Sequence, residues 1–274
     1  MNTIIALTDF SAAATNAVNY ACRLAKACGA TVTVMHAYIV PVAFSDMPMP
    51  LLAPDDARQI AEEKMNAFLH TLPDLYPGLT IYSKIMYGDI IDCVEEYIEE
   101  QQRPLLVILG SSGTGGSSLL GSTSLSALRN IPATVMAVPT GTHYLPVTQI
   151  CLASDLRHVS DKFPVAPLKE LVQATGAALH VVNVDNNNEQ FRPETPLESS
   201  ALHQMLAELN PQYHYETNAN MDEGIHEFLE KTEMNWLVVT PHRHSFFEGL
   251  FHKSHTKALM RMTAIPMVAL HEEG

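Results

Sequence analysis

The feature that most constrains this chain is an ordered series of short apolar runs and amphipathic stretches that occurs twice. The first pass opens on Thr3–Asp9, a β-capable run ending in turn-forming polar residues. A helical stretch follows from about Ser11 to Cys28, with Ala14, Val18, Ala21, Leu24 and Ala25 at three- and four-residue spacing, and Gly29 placed to end it. Next come a strand over Thr31–Tyr38, a Pro- and Met-rich segment over Val40–Pro54, and a helix over Pro54–Leu72 with Asp55 and Asp56 in its first turn. Beyond the Pro77-Gly78 turn lie a strand over Thr80–Met86 and a helix capped by Asp89 and carrying Ile90, Ile91, Val94, Tyr97 and Ile98. The run Leu105–Leu109 is continuously apolar, as a central parallel strand covered on both faces should be. A Gly/Ser loop, a short helix and a strand over Thr134–Val138 complete the unit.

The second pass keeps the order. Gln149–Asp155 echoes the opening strand and places Asp155 where Asp9 stood. Ala178–Asp185, Pro193–Leu209 and Gln212–Thr217 answer the second strand, second helix and third strand. Ile225, Phe228 and Leu229 precede Leu237–Thr240 as Val94, Tyr97 and Ile98 precede Leu106–Leu109, and Ile265-Pro266 matches Ile131-Pro132 before a last strand. Duplication explains the series better than chance does. Strands alternating with helices imply right-handed crossovers. The expected fold class is α/β, with two tandem Rossmann-like domains, each an open, mainly parallel five-stranded sheet with flanking helices. The boundary falls in the short linker, giving units 1–143 and 144–274. Pairing of the two units would cover edge strands otherwise left open.

Hydrophobic residues at 47% and charged residues at 17% describe a chain able to bury a sizeable core. Lys+Arg 16 against Asp+Glu 30 gives a formal charge of −14, which repels nucleic acid and anionic membranes. No nucleic-acid or membrane partner is expected. The cysteines Cys22, Cys28, Cys93 and Cys151 form no CxxC pair, and no apolar stretch nears the ~20 residues that span a bilayer. With no basic leader ahead of the first strand, the expected location is cytoplasmic.

One segment carries a ligand hypothesis. The loop from Gly110 to Ser124 leaves the carboxyl end of a central strand, where ligands bind in open α/β sheets. Glycines allow backbone amides to approach a phosphate closely, and Ser122, Thr123 and Ser124 would stand at a helix N-terminus, where free N–H groups and the helix dipole favour anions. No GKS or GKT is present, which argues against a P-loop NTPase. Asp9 and the three hydroxyl residues could equally serve as helix caps.

On these residues the sequence resembles the universal stress protein family. Its ATP-binding members carry Gly-x2-Gly-x9-Gly-Ser after the fourth strand, matched here by Gly110, Gly113, Gly121 and Ser122, with seven residues rather than nine between Gly113 and Gly121. Asp9-Phe10-Ser11 and Met35-His36-Ala37 match the family's first and second strand ends. The resemblance spans nearly the whole chain as a tandem repeat. It implies ATP or a related adenine nucleotide, with or without Mg, held by Leu7, Thr8, Asp9, Ala37, Leu109, Gly110, Gly113, Gly121, Ser122, Thr123 and Ser124. It also implies pairing of the two units within the chain, leaves a homodimer open, and implies at most weak ATP hydrolysis.

In the second half Pro241 and His244 stand where Gly110 and Gly113 stood, and Lys253-Ser254 where Gly121-Ser122 stood. Proline offers no N–H and side chains crowd a phosphate, so no ATP is expected there by the same geometry. His242, His244, His252 and His255 are candidate metal ligands, although their spacing matches no common zinc motif. An aromatic plug of Phe246, Phe247, Leu250 and Phe251, or an anion site of Arg243, Lys253 and His255, are the other readings. There is no GxSxG elbow, no Ser-His-Asp spacing and no Cys placed beside a base, so no catalytic residues are assigned. Three functions stay open: a nucleotide-binding stress-response or regulatory protein, a ligand-free tandem scaffold acting through protein contacts, and an enzyme acting on a phosphorylated small molecule.

Overall fold

The computed structural model describes residues 2–40, 42–43, 49–50, 53–111, 122–154, 156, 159, 163–185, 195–240 and 264–271. In the first half the elements are β1 (Thr3–Leu7), α1 (Ala12–Cys28), β2 (Thr31–Tyr38), the short pair β3 (Val42–Ala43) and β4 (Met49–Pro50), α2 (Pro54–Leu69), α3 (Leu72–Leu75), β5 (Ile81–Tyr87), α4 (Ile90–Glu100), β6 (Leu106–Ser111), α5 (Ser122–Asn130) and β7 (Val135–Pro139). The second half has β8 (Gln149–Ala153), α6 (Val165–Thr175), β9 (Ala178–Asp185), α7 (Thr195–Leu206), β10 (Gln212–Thr217), α8 (Met221–Thr232), β11 (Trp236–Val239) and β12 (Met267–Ala269).

Most boundaries follow from local chemistry. Ser11 caps α1, its side chain accepting from the Ala14 N–H, and Gly29 closes the helix in the left-handed conformation at φ 67°. Gly176 closes α6 in the same way at φ 68°. Asp89 caps α4 through the Ile91 N–H, as expected. The helix expected over Pro54–Leu72 instead ends at Leu69, and a separate turn of helix begins at Leu72 with Pro73 in its first positions, where a missing N–H costs nothing.

The main sheet has ten strands among the described residues, in the order β10-β9-β8-β11-β12-β7-β6-β1-β2-β5. Every neighbouring pair is parallel except β12 and β7, which run antiparallel with Met267 opposite Ala137 and Ala269 opposite Val135. Each half therefore has the same strand order, 3-2-1-4-5, and the fifth strands meet in the middle. One buried cluster, including Val18, Leu24, Val34, Ile108, Leu168, Leu179 and Trp236, lies on the face where α1, α2 and α6 pack. The other, including Leu7, Val94, Leu109, Leu128, Val182, Ile225 and Leu237, lies under α4, α5 and α8. Both clusters run through the two halves, so the sheet has one continuous core on each face.

Candidate functional site

In each half the order reverses between the first and fourth strands, and in the first half that reversal is β1 beside β6. Helix α1 leaves one face of the sheet and α5 the other, so the carboxyl ends of β1 and β6 form a topological switch point, the place where open α/β sheets of this kind have their crevice. Its β1 lip is Thr8-Asp9-Phe10. Thr8 is buried, donates its N–H to the Met35 carbonyl at 2.9 Å, and accepts from the Phe10 N–H through Oγ1 at 3.0 Å. Phe10 has φ 65°, unusual for a residue with a side chain, and this turn swings the chain from strand into helix. Asp9 is left exposed, with Oδ1 accepting the Ser11 N–H at 2.9 Å. The helix cap is Ser11, so Asp9 has no capping duty in α1.

Although exposed, Asp9 is partly desolvated by neighbouring atoms, and this opposes its ionisation. Hydrogen bonding from Ser11 and the nearby His36 outweigh that desolvation and hold its carboxyl below the usual carboxylate value. Asp9 is thus an acceptor-only group at neutral pH. It can take hydrogen bonds from sugar hydroxyls or an amine, and it repels phosphate.

His36 fixes this lip from β2. Its Nδ1 donates to the Thr8 carbonyl at 2.8 Å, since a carbonyl can only accept, and its ring packs 4.5 Å from Phe10. The second half rebuilds the same turn with different side chains. Ser154 donates its N–H to the Val182 carbonyl at 2.9 Å, its Oγ accepts the Leu156 N–H at 3.2 Å, Leu156 has φ 52°, and Asn183 Nδ2 donates to the Ser154 carbonyl at 2.9 Å. Asn183 thus does for Ser154 what His36 does for Thr8. The match predicts that His36→Asn keeps the bond that His36→Ala loses, so the alanine variant should be less stable than the asparagine one by about 1 kcal/mol in urea unfolding.

The β6 lip is Leu109-Gly110-Ser111. Leu109 is buried beneath it. A Cβ on Gly110 would overlap the Ala13 carbonyl oxygen and come within 2.9 Å of the Ala14 nitrogen, so the absent side chain is what lets α1 approach the sheet. Alternation along the strand turns Ser111 to the opposite face, with Leu109 and α5. Ser122, Thr123 and Ser124 are the first three residues of α5. Thr123 is exposed, whereas Ser124 is buried and its Oγ donates to the Gly110 carbonyl at 3.1 Å, fastening the start of α5 to the lip. Ala37 is half-buried near the end of β2, and Leu7 is buried at the end of β1. Gly113, Gly121, Asp155, Arg243, Lys253 and the histidines His242, His244, His252 and His255 lie outside the described residues. Among the described residues no three His, Cys, Asp or Glu side chains are grouped to hold a metal ion, and no helix is long and apolar enough to cross a membrane.

Two contributors were not assigned from sequence. His36 was legible only as a neighbour of Ala37, and its hydrogen bond to Thr8 needs the register of β1 against β2 to be seen. Ser111 stood in the Gly/Ser run without a role. Extending the β6 alternation by two residues past Leu109 would have separated it from Gly110.

The architecture recurs in known proteins. The universal stress protein family model matches residues 1–139, which include both lips of the crevice and α5. The chain belongs to the universal stress protein family. No curated protein matches it in sequence. Among solved structures, a universal stress protein from Archaeoglobus fulgidus DSM 4304 is 16% identical, with a TM-score of 0.74, covering 99% of this chain and 99% of its own. A functionally unknown protein from Pseudomonas aeruginosa PAO1 is 12% identical, with a TM-score of 0.58, covering 99% of this chain and 93% of its own. At such identities the likeness is one of fold, and the first match shows that the whole two-half fold recurs in another universal stress protein.

Proposed function

We propose that this universal stress protein binds an adenine nucleotide, ATP or a relative, in its first half, and serves a regulatory or stress-response role rather than a dedicated catalytic one. The observation that carries the reading is the reversal of strand order between β1 and β6. An ionised carboxylate, Asp9, stands on one lip, and on the other the N-terminus of α5 is tied to Gly110. A nucleotide has the matching polarity, with sugar hydroxyls to donate and a phosphate to be received by free helix N–H groups. Leu7, Thr8 and Leu109 form the floor, the Ala37 backbone meets the base, and Gly110, Gly113, Gly121 and Ser122–Ser124 line the phosphate side. Units 1–143 and 144–274 act as two domains, the second without a nucleotide by this geometry, in a cytoplasmic protein. Mg would accompany a polyphosphate, bound through its oxygens.

Isothermal titration with ATP and Mg tests the reading. Binding to the wild-type chain, weakened about tenfold in Asp9→Ala and lost in Gly121→Asp, is the expected result, tenfold corresponding to about 1.4 kcal/mol. Absence of heat in the wild type would reject it.

A second reading, a ligand-free scaffold, draws on the outer edge strands β5 and β10, which expose Tyr82, Tyr87 and Tyr215. Stable self-association by sedimentation, with no affinity for any nucleotide, would favour it.

A further inference from the structure

Resting on the nucleotide reading, we infer that the first-half site is built around a nucleoside monophosphate, with the Ser111 hydroxyl and the first turn of α5 together holding the phosphate bonded to the sugar. Ser111 is 1% exposed, and its Oγ has no hydrogen-bond partner among the described residues. A buried hydroxyl without a partner is costly and uncommon, which points to a group that completes it. Its backbone is already committed, the carbonyl accepting from both the N–H and the Oγ1 of Thr140 at 2.9 and 3.0 Å. The side chain is what remains. It lies on the face of β6 where α5 packs, directly after the residue whose carbonyl receives Ser124. A hydroxyl donor beneath a helix N-terminus is an anion seat with two independent parts.

The ladder fixes which phosphate would sit there. Ala6 is opposite Ile108 and Leu7 opposite Met35, so continuing the rows brings Asp9, Ala37 and Ser111 level on three adjacent strands. Neighbouring strands are about 4.8 Å apart. A sugar hydrogen-bonded at Asp9 therefore has only its own directly attached phosphate within reach of β6. The base falls one strand away on the other side, at β2. Asp9 repels phosphate, so the ligand cannot lie in the reverse sense.

Titrations of the full chain with adenosine, AMP and ATP, in the wild type and in Ser111→Ala, test this. AMP should bind the wild type at least tenfold more tightly than adenosine and within a fewfold of ATP. In Ser111→Ala the AMP advantage over adenosine should vanish while adenosine affinity is kept. The melting temperature of the unliganded variant should be unchanged or raised, because an unpaired buried hydroxyl has been removed; a hydroxyl with a purely structural role would lower it. Wild-type AMP affinity in Ser111→Ala, or ATP binding more than tenfold tighter than AMP, would overturn the monophosphate assignment while leaving the nucleotide reading intact. Failure of all three ligands to bind the wild type would remove the nucleotide reading itself.

Discussion

Gly110→Ala is expected to lower the unfolding free energy by about 3 kcal/mol, and Gly110→Val by more, the upper end of the range for overpacked sites. The collision is with backbone: an added Cβ overlaps the Ala13 carbonyl oxygen and crowds the Ala14 nitrogen. No flexible side chain can move aside to relieve it. Either the first turn of α1 lifts away from β6 or β6 is pushed from its row, and both disturb the lip that carries Asp9. Urea unfolding followed by circular dichroism measures the effect. A change within about 0.5 kcal/mol, the usual spread at neutral surface positions, would mean that α1 does not need this glycine. The same experiment separates two roles for Gly110. A glycine kept only for close approach of a phosphate would alter ligand affinity and spare the stability of the unliganded protein.

Trp236→Ala is the second large effect, with an expected cost of about 3–5 kcal/mol for emptying a fully buried aromatic site. Trp236 opens β11 in the second half, is 0% exposed, and donates its Nε1–H to the Tyr20 hydroxyl of α1 in the first half at 2.8 Å. Tyr20 is itself buried, which pushes its phenol pKa up, and its ring meets Tyr144 edge-on at 5.4 Å. Removing the indole leaves both a cavity and a buried phenol without this partner, so the loss spreads to each half. Trp236→Phe fills most of the space and should cost less, separating packing from the hydrogen bond. Because the chain has one tryptophan, its fluorescence reports the contact between halves. In the wild type the fluorescence and circular dichroism unfolding curves should coincide, as a single cooperative unit requires. In Trp236→Ala the circular dichroism midpoint should fall. A wild-type fluorescence transition well ahead of the circular dichroism one would mean that the halves part before they unfold.

The succession of elements and its repeat were readable because burial on both faces of a parallel sheet leaves continuous apolar runs, such as Leu105–Leu109 and Leu237–Val239, and because the capping residues Asp89 and Gly29 are chemically distinctive. Edges drifted by one to three residues: the second helix ends at Leu69 rather than Leu72, and Leu105 lies just before β6, yet its N–H already bonds to the Thr3 carbonyl. The left-handed turns at Phe10 and Leu156 were not legible, since neither residue favours that conformation by itself. Tertiary bonds from Thr8, Ser154, His36 and Asn183 impose it. Gly110 shows a different limit. Its glycine was visible, and a phosphate was the reason the loop suggested, while the helix lying against it needed three dimensions to appear. Ser111 carries no signal in the sequence, because an orphaned hydroxyl is defined by what surrounds it.

Native mass spectrometry of the intact chain with added AMP or ATP tests most directly whether the first half is a nucleotide site. The predicted spectrum shows one adenine nucleotide per chain, depleted in Asp9→Ala under the same conditions. A bare chain at every nucleotide concentration, or two equivalent adducts that persist in the variant, would contradict a single site at the β1–β6 crevice.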